Sequence, residues 1–355
     1  MDAIDTALVD FRDQDLTVIK YYQFPIPNDV QTTVRNVTGE TTLTEITELD
    51  NVLGGLFADA VNNILKTAGL KAGDITAVGS HGQTVLHLPV STYPRTLQIG
   101  NPAMIAVRSG ITTVADFRRG DIAAGGQGAP LTCAFHAWRF RSSKVNRSVL
   151  NLGGMANITV LPADPVKEIT GFDTGPGNSL MDGWVQRHLH KDYDRDGLWA
   201  ASGTCNDELL KVMLEEPYFK TRPPKSTGKD DFNLAWLESK LAVLNKDLDP
   251  ADVQATLLEL TARTISVAIS GHAPASQEIL LCGGGTHNPV LVQRLKQLLT
   301  KQAIVTTGAY GIHPDAVEAI TFAWLAKCRL ENVPANIPAV TGATKKVVLG
   351  AIYHP

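Results

Sequence analysis

The sequence predicts an α/β fold of two lobes, each built on a mixed sheet and facing the other across a central cleft. Three observations carry this. Apolar strand-like runs alternate with amphipathic helical runs along the chain. Strand pairs open both halves, as though one core had been duplicated. In both halves the polar residues gather just behind strand ends, where open α/β sheets place their ligands.

The first elements are two strands, Asp5 to Phe11 and Leu16 to Phe24, split by the polar break RDQD, which reads as a hairpin. Ile46, Leu49, Leu53, Leu56, Ala60 and Ile64 recur at steps of three and four, the apolar stripe of a long helix that closes near Gly69. "ITAVGSHGQ" supplies a short strand, Ile75 to Val78, that runs into a polar turn, and Thr112 to Phe117 repeats the design. "AAGGQGAP", 123 to 130, is a flexible stretch before a helix from Leu131 to Phe140, and the domain boundary is expected near Gly128.

The second half opens with "RSVLNLGGMANITVL", two strands joined by Gly153 and Gly154. Next, Ile169 to Phe172 reads as a strand that delivers Asp173 into a turn of Thr174, Gly175, Pro176 and Gly177, ahead of a helix. Helices are expected over 207–214, 232–244 and 250–270, then a buried strand "EILLCGGG", helices over 289–299 and 314–330, and a closing strand in "KKVVLGAIY". "RPPKSTGKDDFN", 222 to 233, reads as a polar, mobile loop.

Composition narrows the function. The chain of 355 residues is 44% hydrophobic and 19% charged, and no apolar run approaches the length of a membrane span. A net charge of -4 without a basic block lacks the footprint of a nucleic-acid binder, so a small polar ligand is expected. Cys133, Cys205, Cys282 and Cys328 form no C-x-x-C pair and suggest neither zinc nor a disulfide framework. With no signal-peptide pattern, the cytoplasm is the expected address.

Gly153-Gly154, Gly175-Pro-Gly177 and Gly283-Gly284-Gly285 each follow a strand in the second half. Glycine lets backbone N–H groups come within about 3 Å of a phosphate and takes positive φ at little cost. A helix that follows adds a field favourable to anions. Any one of these turns would read as a tight connection; three together point to phosphate. No P-loop is present, because the one "GK", Gly228-Lys229, has Pro223 where the first glycine belongs, and there is no G-x-G-x-x-G.

These residues carry a family resemblance. "NLGGMANITVL" resembles the second phosphate hairpin of the actin, sugar-kinase and chaperone ATPase fold, which is ribonuclease H-like, and "LLCGGGTHNPVLVQRL" resembles its adenosine-binding turn. "AVGSHGQTVLHLP", "LQIGNPA", "TTVADFRRGDIAAGGQGAPL", "GFDTGPGNSLMDGW" and "AVEAITFAWLA" together resemble the anhydro-N-acetylmuramic acid kinases along the whole chain. With the tail returned to the first lobe, the expected division is 1–127 plus 340–355 and 128–339.

The resemblance implies an enzyme that uses ATP, Mg²⁺ and water to open 1,6-anhydro-N-acetylmuramic acid, a cell-wall fragment, and to release its 6-phosphate; it also implies a homodimer. Asp173 would be the base that takes a proton from the attacking water. Alone, it reads equally as a cap for the following helix. Arg118 and Asp121, in the family's DFR-x-x-D pattern, would contact the sugar, with Arg118 suited to the lactyl carboxylate. Ser80, His81, Gln83, Thr84 and Glu318 would complete the sugar contacts. Asp2, Ala3, Asp5, Gly153, Gly154, Asn157, Gly175, Gly177, Gly283, Gly284, Gly285 and Asn288 would face the nucleotide. Two other readings share the fold: a different sugar or acetate kinase, and a sugar-sensing or filament-forming ATPase without phosphotransfer. Asp173 and the "DFRRGD" block favour the first.

Members of this family open with a strand and a turn of the form MSGTS-x-D-G-x-D. "MDAIDTALVDF" resembles the last part of that motif, so either the start is an internal methionine of a longer chain or this form lacks the loop; as written, the chain is expected to bind ATP weakly and to be less stable, with Asp2 or Asp5 left to touch Mg²⁺ or phosphate.

Overall fold

The computed structural model describes residues 3–12 and 15–355. The chain divides into two compact units, Met1–Phe135 with Ala316–Pro355, and His136–Asp315.

In the first unit β1 (Ala3–Arg12) and β2 (Asp15–Pro25) form the expected hairpin, antiparallel with a shift between Leu8 and Val9. The long helix starts at Leu43 because Thr42 and Glu45 make a reciprocal capping box, and it ends at Ala68 because Gly69 takes the left-handed conformation. Its stripe serves two small cores. Leu49 and Leu53 pack with Val34 and Ile99, and Ile64 and Leu65 pack with Leu8 and Ile111. The remaining strands of this unit are short: β3 (Val78–Gly79), β4 (Gln83–Leu88), β5 (Arg95–Ile99) and β6 (Thr113–Ala115). β6 pairs parallel with β3 and antiparallel with the closing strand Ala351–Tyr353, while β4 and β5 pair with each other.

Several expectations shift. The strand expected over 75–78 begins only at Val78, because Ile75 closes the short turn Ala72–Asp74. The strand expected to reach Phe117 stops at Ala115, since Asp116 turns left-handed (φ 58°) and starts a helix, Phe117–Ala123, that carries Arg118 and Asp121. The boundary expected near Gly128 falls after Phe135, and residues 316–339 pack with the first unit. The reason is the helix Val317–Leu330, which buries Ile320, Phe322 and Trp324 and packs on β1 and β3.

The second unit holds one five-stranded sheet of β7 (Arg147–Leu152), β8 (Met155–Leu161), β9 (Thr170–Pro176), β10 (Glu278–Cys282) and β11 (Ala303–Thr306). Counted within the unit, its order is 5-4-1-2-3. β7, β10 and β11 run parallel, and β8 is antiparallel to both β7 and β9. β9 therefore points the same way as β7 and β10. The core is organised by the helix Pro250–His272, whose Val253, Leu257, Leu260, Ile265 and Ile269 are buried. Each such side chain contributes about 1.5–3 kcal/mol relative to exposure. Trp184 is buried, and its Nε1 donates to the Pro250 carbonyl at 2.8 Å. None of the four cysteines is in a disulfide, and no helix among the described residues is long and apolar enough to cross a membrane.

His136 is fully buried, with Nδ1 2.8 Å from Thr159 Oγ1, and burial pushes its pKa down to about 3. The unfolded chain, with a histidine near 6.5, therefore binds a proton that the folded state refuses between pH 6.5 and 3. Stability is accordingly present above pH 6.5 and is lost as pH falls, by up to about 1.4 kcal/mol per pH unit for this one group. Denaturant unfolding at pH 7 and pH 5 is expected to show a smaller loss for His136→Gln than for the wild type. Equal losses would remove His136 as a cause.

Candidate active site

Because β7, β9 and β10 share a direction, their C-terminal ends bring the three glycine turns to one edge of the sheet. The contact is direct. Gly177 N–H donates to Gly154 O at 2.9 Å, Asn178 N–H to Gly153 O at 2.9 Å, and Ser179 N–H to Gly154 O at 3.2 Å. A Cβ on Gly177 would stand 2.2 Å from Gly153 O, so only glycine lets the hairpin tip seat. The turn at Gly283–Gly285 backs onto Asn151, Leu152 and Asn178. Asn178 Nδ2 also donates to Leu152 O at 3.0 Å.

This sorts the glycines by task. The Gly177 and Asn178 N–H groups are taken by carbonyls, so they shape the turn. The N–H groups of Gly153 and Gly154 donate to no carbonyl among the described residues, and the space beside Gly284 is open. Unused donors beside open backbone are what a nucleotide's phosphates require. Gly175 (φ 145°) packs against Phe219. Asn288 is the cap of helix Pro289–Leu298, with Oδ1 accepting from Leu291 N–H at 3.0 Å.

Asp173 is not in a turn. β9 runs on through Pro176, paired with β8 across a bulge between Ala156 and Asn157. The helix that follows is preceded by Asn178, so Asp173 lies too far back to cap it. Asp173 is fixed through both its side chain and its main chain: Thr227 N–H donates to Oδ2 at 3.0 Å, Asp173 N–H donates to Lys225 O at 3.2 Å, and Tyr218 Oη donates to Asp173 O at 2.7 Å. The stretch read from sequence as a mobile loop thus pairs with the edge strand. Lys225 is half-buried, with Nζ 3.0 Å from Tyr218 O, and burial lowers its pKa while Asp173 opposes that shift. Burial and the nearby Asp173 and Asp231 raise that of the Tyr218 phenol.

Asn157 lies directly opposite Asp173, Asn151 opposite Asn157, and Cys282 opposite Asn151. Residues opposite one another share a sheet face, so a polar row crosses four strands beneath the glycine turns. From the central helix, Thr261 Oγ1 lies 3.2 and 3.1 Å from the carbonyls of Pro176 and Gly177, supporting the turn from behind. Sequence reasoning missed Asn151, Tyr218, Thr227 and Thr261. Only Asn151 left a signal, a polar residue in an apolar strand just before a glycine pair.

The first unit gathers a second polar group. Arg118 Nε donates to His81 Nε2 at 3.0 Å, and its Nη1 donates to Gly128 O at 2.8 Å. His81 therefore accepts at Nε2 and is neutral; burial first and Arg118 second hold its pKa well below 6.5. Its ring lies 4.4 Å from that of Phe322, one helical turn beyond Glu318. A Cβ on Gly79 would stand 2.1 Å from Phe322 O, so a glycine is needed for β3 to approach this helix. Burial raises the Glu318 pKa, against the pull of Arg118 and with help from Asp5. Asp5 accepts from Tyr21 Oη and from Gln23 Nε2. Asp2 lies outside the described residues, and Ala3 begins β1.

Ser80 N–H donates to Val114 O at 2.9 Å, extending the β3–β6 pairing. Gln83 and Thr84 open β4, where Thr84 Oγ1 accepts from Gln98 Nε2 at 3.2 Å. Asp121 differs from its neighbours: it is fully buried and accepts from Gly128 N–H, Asn336 Nδ2 and Thr341 Oγ1, each at 2.8 Å. In this structure it holds the segment whose carbonyl orients Arg118.

By strand order, and by glycine turns meeting at one sheet edge beside a held carboxylate, the second unit has the build of an actin-like ATPase or sugar kinase. Sequence comparison narrows that class. The chain belongs to the anhydro-N-acetylmuramic acid kinase family, whose family model matches residues 1–355. It is 50% identical over 355 residues to the Anhydro-N-acetylmuramic acid kinase of Coxiella burnetii (strain Dugway 5J108-111), covering 99% of this chain and 94% of that protein. It is 47% identical over 358 residues to the protein of that name from Vibrio cholerae serotype O1, covering 100% of this chain and 96% of that one. A more distant likeness, with a TM-score of 0.45 and 11% identity, is to the activator of the 2-hydroxyisocaproyl-CoA dehydratase from Clostridium difficile with bound ADPNP; it covers 92% of this chain and 98% of that one.

Proposed function

We propose that this chain transfers the γ-phosphoryl group of ATP to O6 of 1,6-anhydro-N-acetylmuramic acid while water opens the anhydro ring at C1. The products are N-acetylmuramic acid 6-phosphate and ADP. The observation that carries this reading is Asp173, a carboxylate fixed at its main chain and at Oδ2 on the sheet that also bears the glycine turns. Water attacking C1 must lose a proton, and Asp173 accepts it. The departing O6 is captured by phosphorus, so no second carboxylic acid is needed to protonate it, unlike in an inverting glycosidase.

Gly153 and Gly154 bind phosphate oxygens through their N–H groups, and the turn at Gly283–Gly285 takes the nucleoside end. Arg118, oriented by His81 and Gly128, binds the lactyl carboxylate. Glu318, with its pKa raised, is suited to hydrogen-bond a sugar oxygen. Mg²⁺ is taken to enter with ATP, with Asp5 as a carboxylate that could touch it. When bound, that ion neutralises phosphate charge. The family resemblance extends the proposal to a cytoplasmic homodimer.

Incubation with ATP, Mg²⁺ and the anhydro sugar in ¹⁸O-labelled water is expected to give a sugar phosphate carrying one ¹⁸O at C1, read by mass spectrometry. Unlabelled product placed in the same water controls for exchange. Labelled inorganic phosphate without sugar phosphate would show an ATPase and overturn the proposal.

A further inference from the structure

A general base works only while its carboxylate is held in line with the water, since a misplacement of about 1 Å can cost a hundredfold in rate. Asp173 sits on β9, the edge strand of its sheet. On that outer side three hydrogen bonds close a ring. Tyr218 Oη donates to Asp173 O at 2.7 Å, Asp173 N–H donates to Lys225 O at 3.2 Å, and Lys225 Nζ donates to Tyr218 O at 3.0 Å. Each of the three residues gives one bond and takes one. The ring is also tied to the core. Tyr218 lies edge-on to the buried Phe232, with ring centroids 5.7 Å apart. The Lys225 ammonium stands 4.4 Å from the centre of the Tyr218 ring and 5.9 Å from that of Phe172, the residue before Asp173. A cation so placed is attracted by the ring faces.

We propose that Tyr218 and Lys225 are positioning residues for Asp173: their ring of hydrogen bonds fixes its main chain and so aims its carboxylate, and the Lys225 ammonium supplies the counter-charge. This role rests on the reaction proposed above. Burial lowers the Lys225 pKa and Asp173 opposes that shift. The attraction is mutual, so the ammonium favours the ionised carboxylate, the form that can take a proton. The other ionisable groups nearby are Tyr218 itself, Asp231, whose Oδ2 accepts from Thr227 Oγ1 at 2.7 Å, and, beyond Lys225, His272 and Arg222. Asp231 is a like charge to Asp173, and Lys225 is the cation bonded into the ring.

Initial rates of sugar phosphate formation with varied ATP test this for Lys225→Met, which keeps the stem without the charge, and for Tyr218→Phe, which loses only the hydroxyl. kcat is expected to fall about 10- to 100-fold for the first and about 3- to 10-fold for the second, with the KM for ATP within about twofold. The acid limb of the pH–rate profile should move to higher pH in Lys225→Met, because the carboxylate loses its counter-charge. A positioning residue acts through Asp173, so adding Lys225→Met to Asp173→Asn should slow that variant by less than about twofold, whereas damage spread through the fold would repeat the full loss. Wild-type kcat in both single variants, the full loss repeated in the double variant, an acid limb that stays in place, or a raised KM for ATP at unchanged kcat would each overturn the proposal. The last result would make Lys225 a nucleotide contact. Failure of both single variants to fold, read by thermal melting, would make the ring structural and overturn it as well. If the wild type itself forms no sugar phosphate, the proposed reaction fails and this role with it, a result read before any variant is made.

Discussion

Asp173→Asn is expected to form sugar phosphate roughly 10²–10⁴-fold more slowly than the wild type, the usual worth of a positioned general base. The substitution is close to isosteric. The main chain at this position is held through Lys225 O and Tyr218 Oη, and an amide oxygen can still accept from Thr227 N–H. The fold should therefore lose about 1 kcal/mol or less, a shift in Tm of no more than about 4 °C. ATP affinity, read by titration, should be unchanged. A variant that keeps turnover within about threefold of wild type would show that the base lies elsewhere. A variant that is slow because it melts early would leave Asp173 a structural residue.

Gly177→Ala is expected to cost both stability and nucleotide binding. Its Cβ would stand 2.2 Å from Gly153 O, 3.1 Å from Ala156 N and 3.2 Å from Gly154 O, all backbone atoms that cannot rotate away. The hairpin tip and the turn after β9 must move apart, which strains the three N–H to carbonyl bonds joining them. Overpacking of this kind costs about 1–3 kcal/mol. With Gly153 displaced, ATP should bind at least about tenfold more weakly, since 1.4 kcal/mol corresponds to a factor of ten. Gly284→Ala is the internal control: nothing lies within 4 Å of its Cβ direction, so the melting temperature should hold. Equal behaviour of the two variants in thermal melting would remove the steric account.

Much of this molecule was legible because its signals are local. The helix Leu43–Ala68 announces its start in the Thr42–Glu45 box, its stop in Gly69 and its buried face in a stripe of period 3.6. The three glycine turns were visible as glycines behind apolar strands. Positions with no local signal needed the structure. Asp121, placed by the resemblance among the sugar contacts, is a buried acceptor for residues 336 and 341, more than two hundred positions away. The 222–233 stretch looks like solvated loop because the edge strand that it pairs with, and the core that receives Phe232, come from other parts of the chain.

By itself the sequence determined the fold class, the family and the residue types that can do the chemistry, because periodicity, capping and motif spacing act over a few residues at a time. Only the tertiary structure decided which glycine N–H groups are spent on the fold and which donate to no carbonyl among the described residues, that Asn157 stands opposite Asp173, and that Asp121 holds the segment that orients Arg118. Those outcomes depend on strand register and on hydrogen bonds between segments far apart in the chain. A one-residue slip in the β8–β9 pairing would send Asn157 to the opposite face, and nothing in the local sequence records that register.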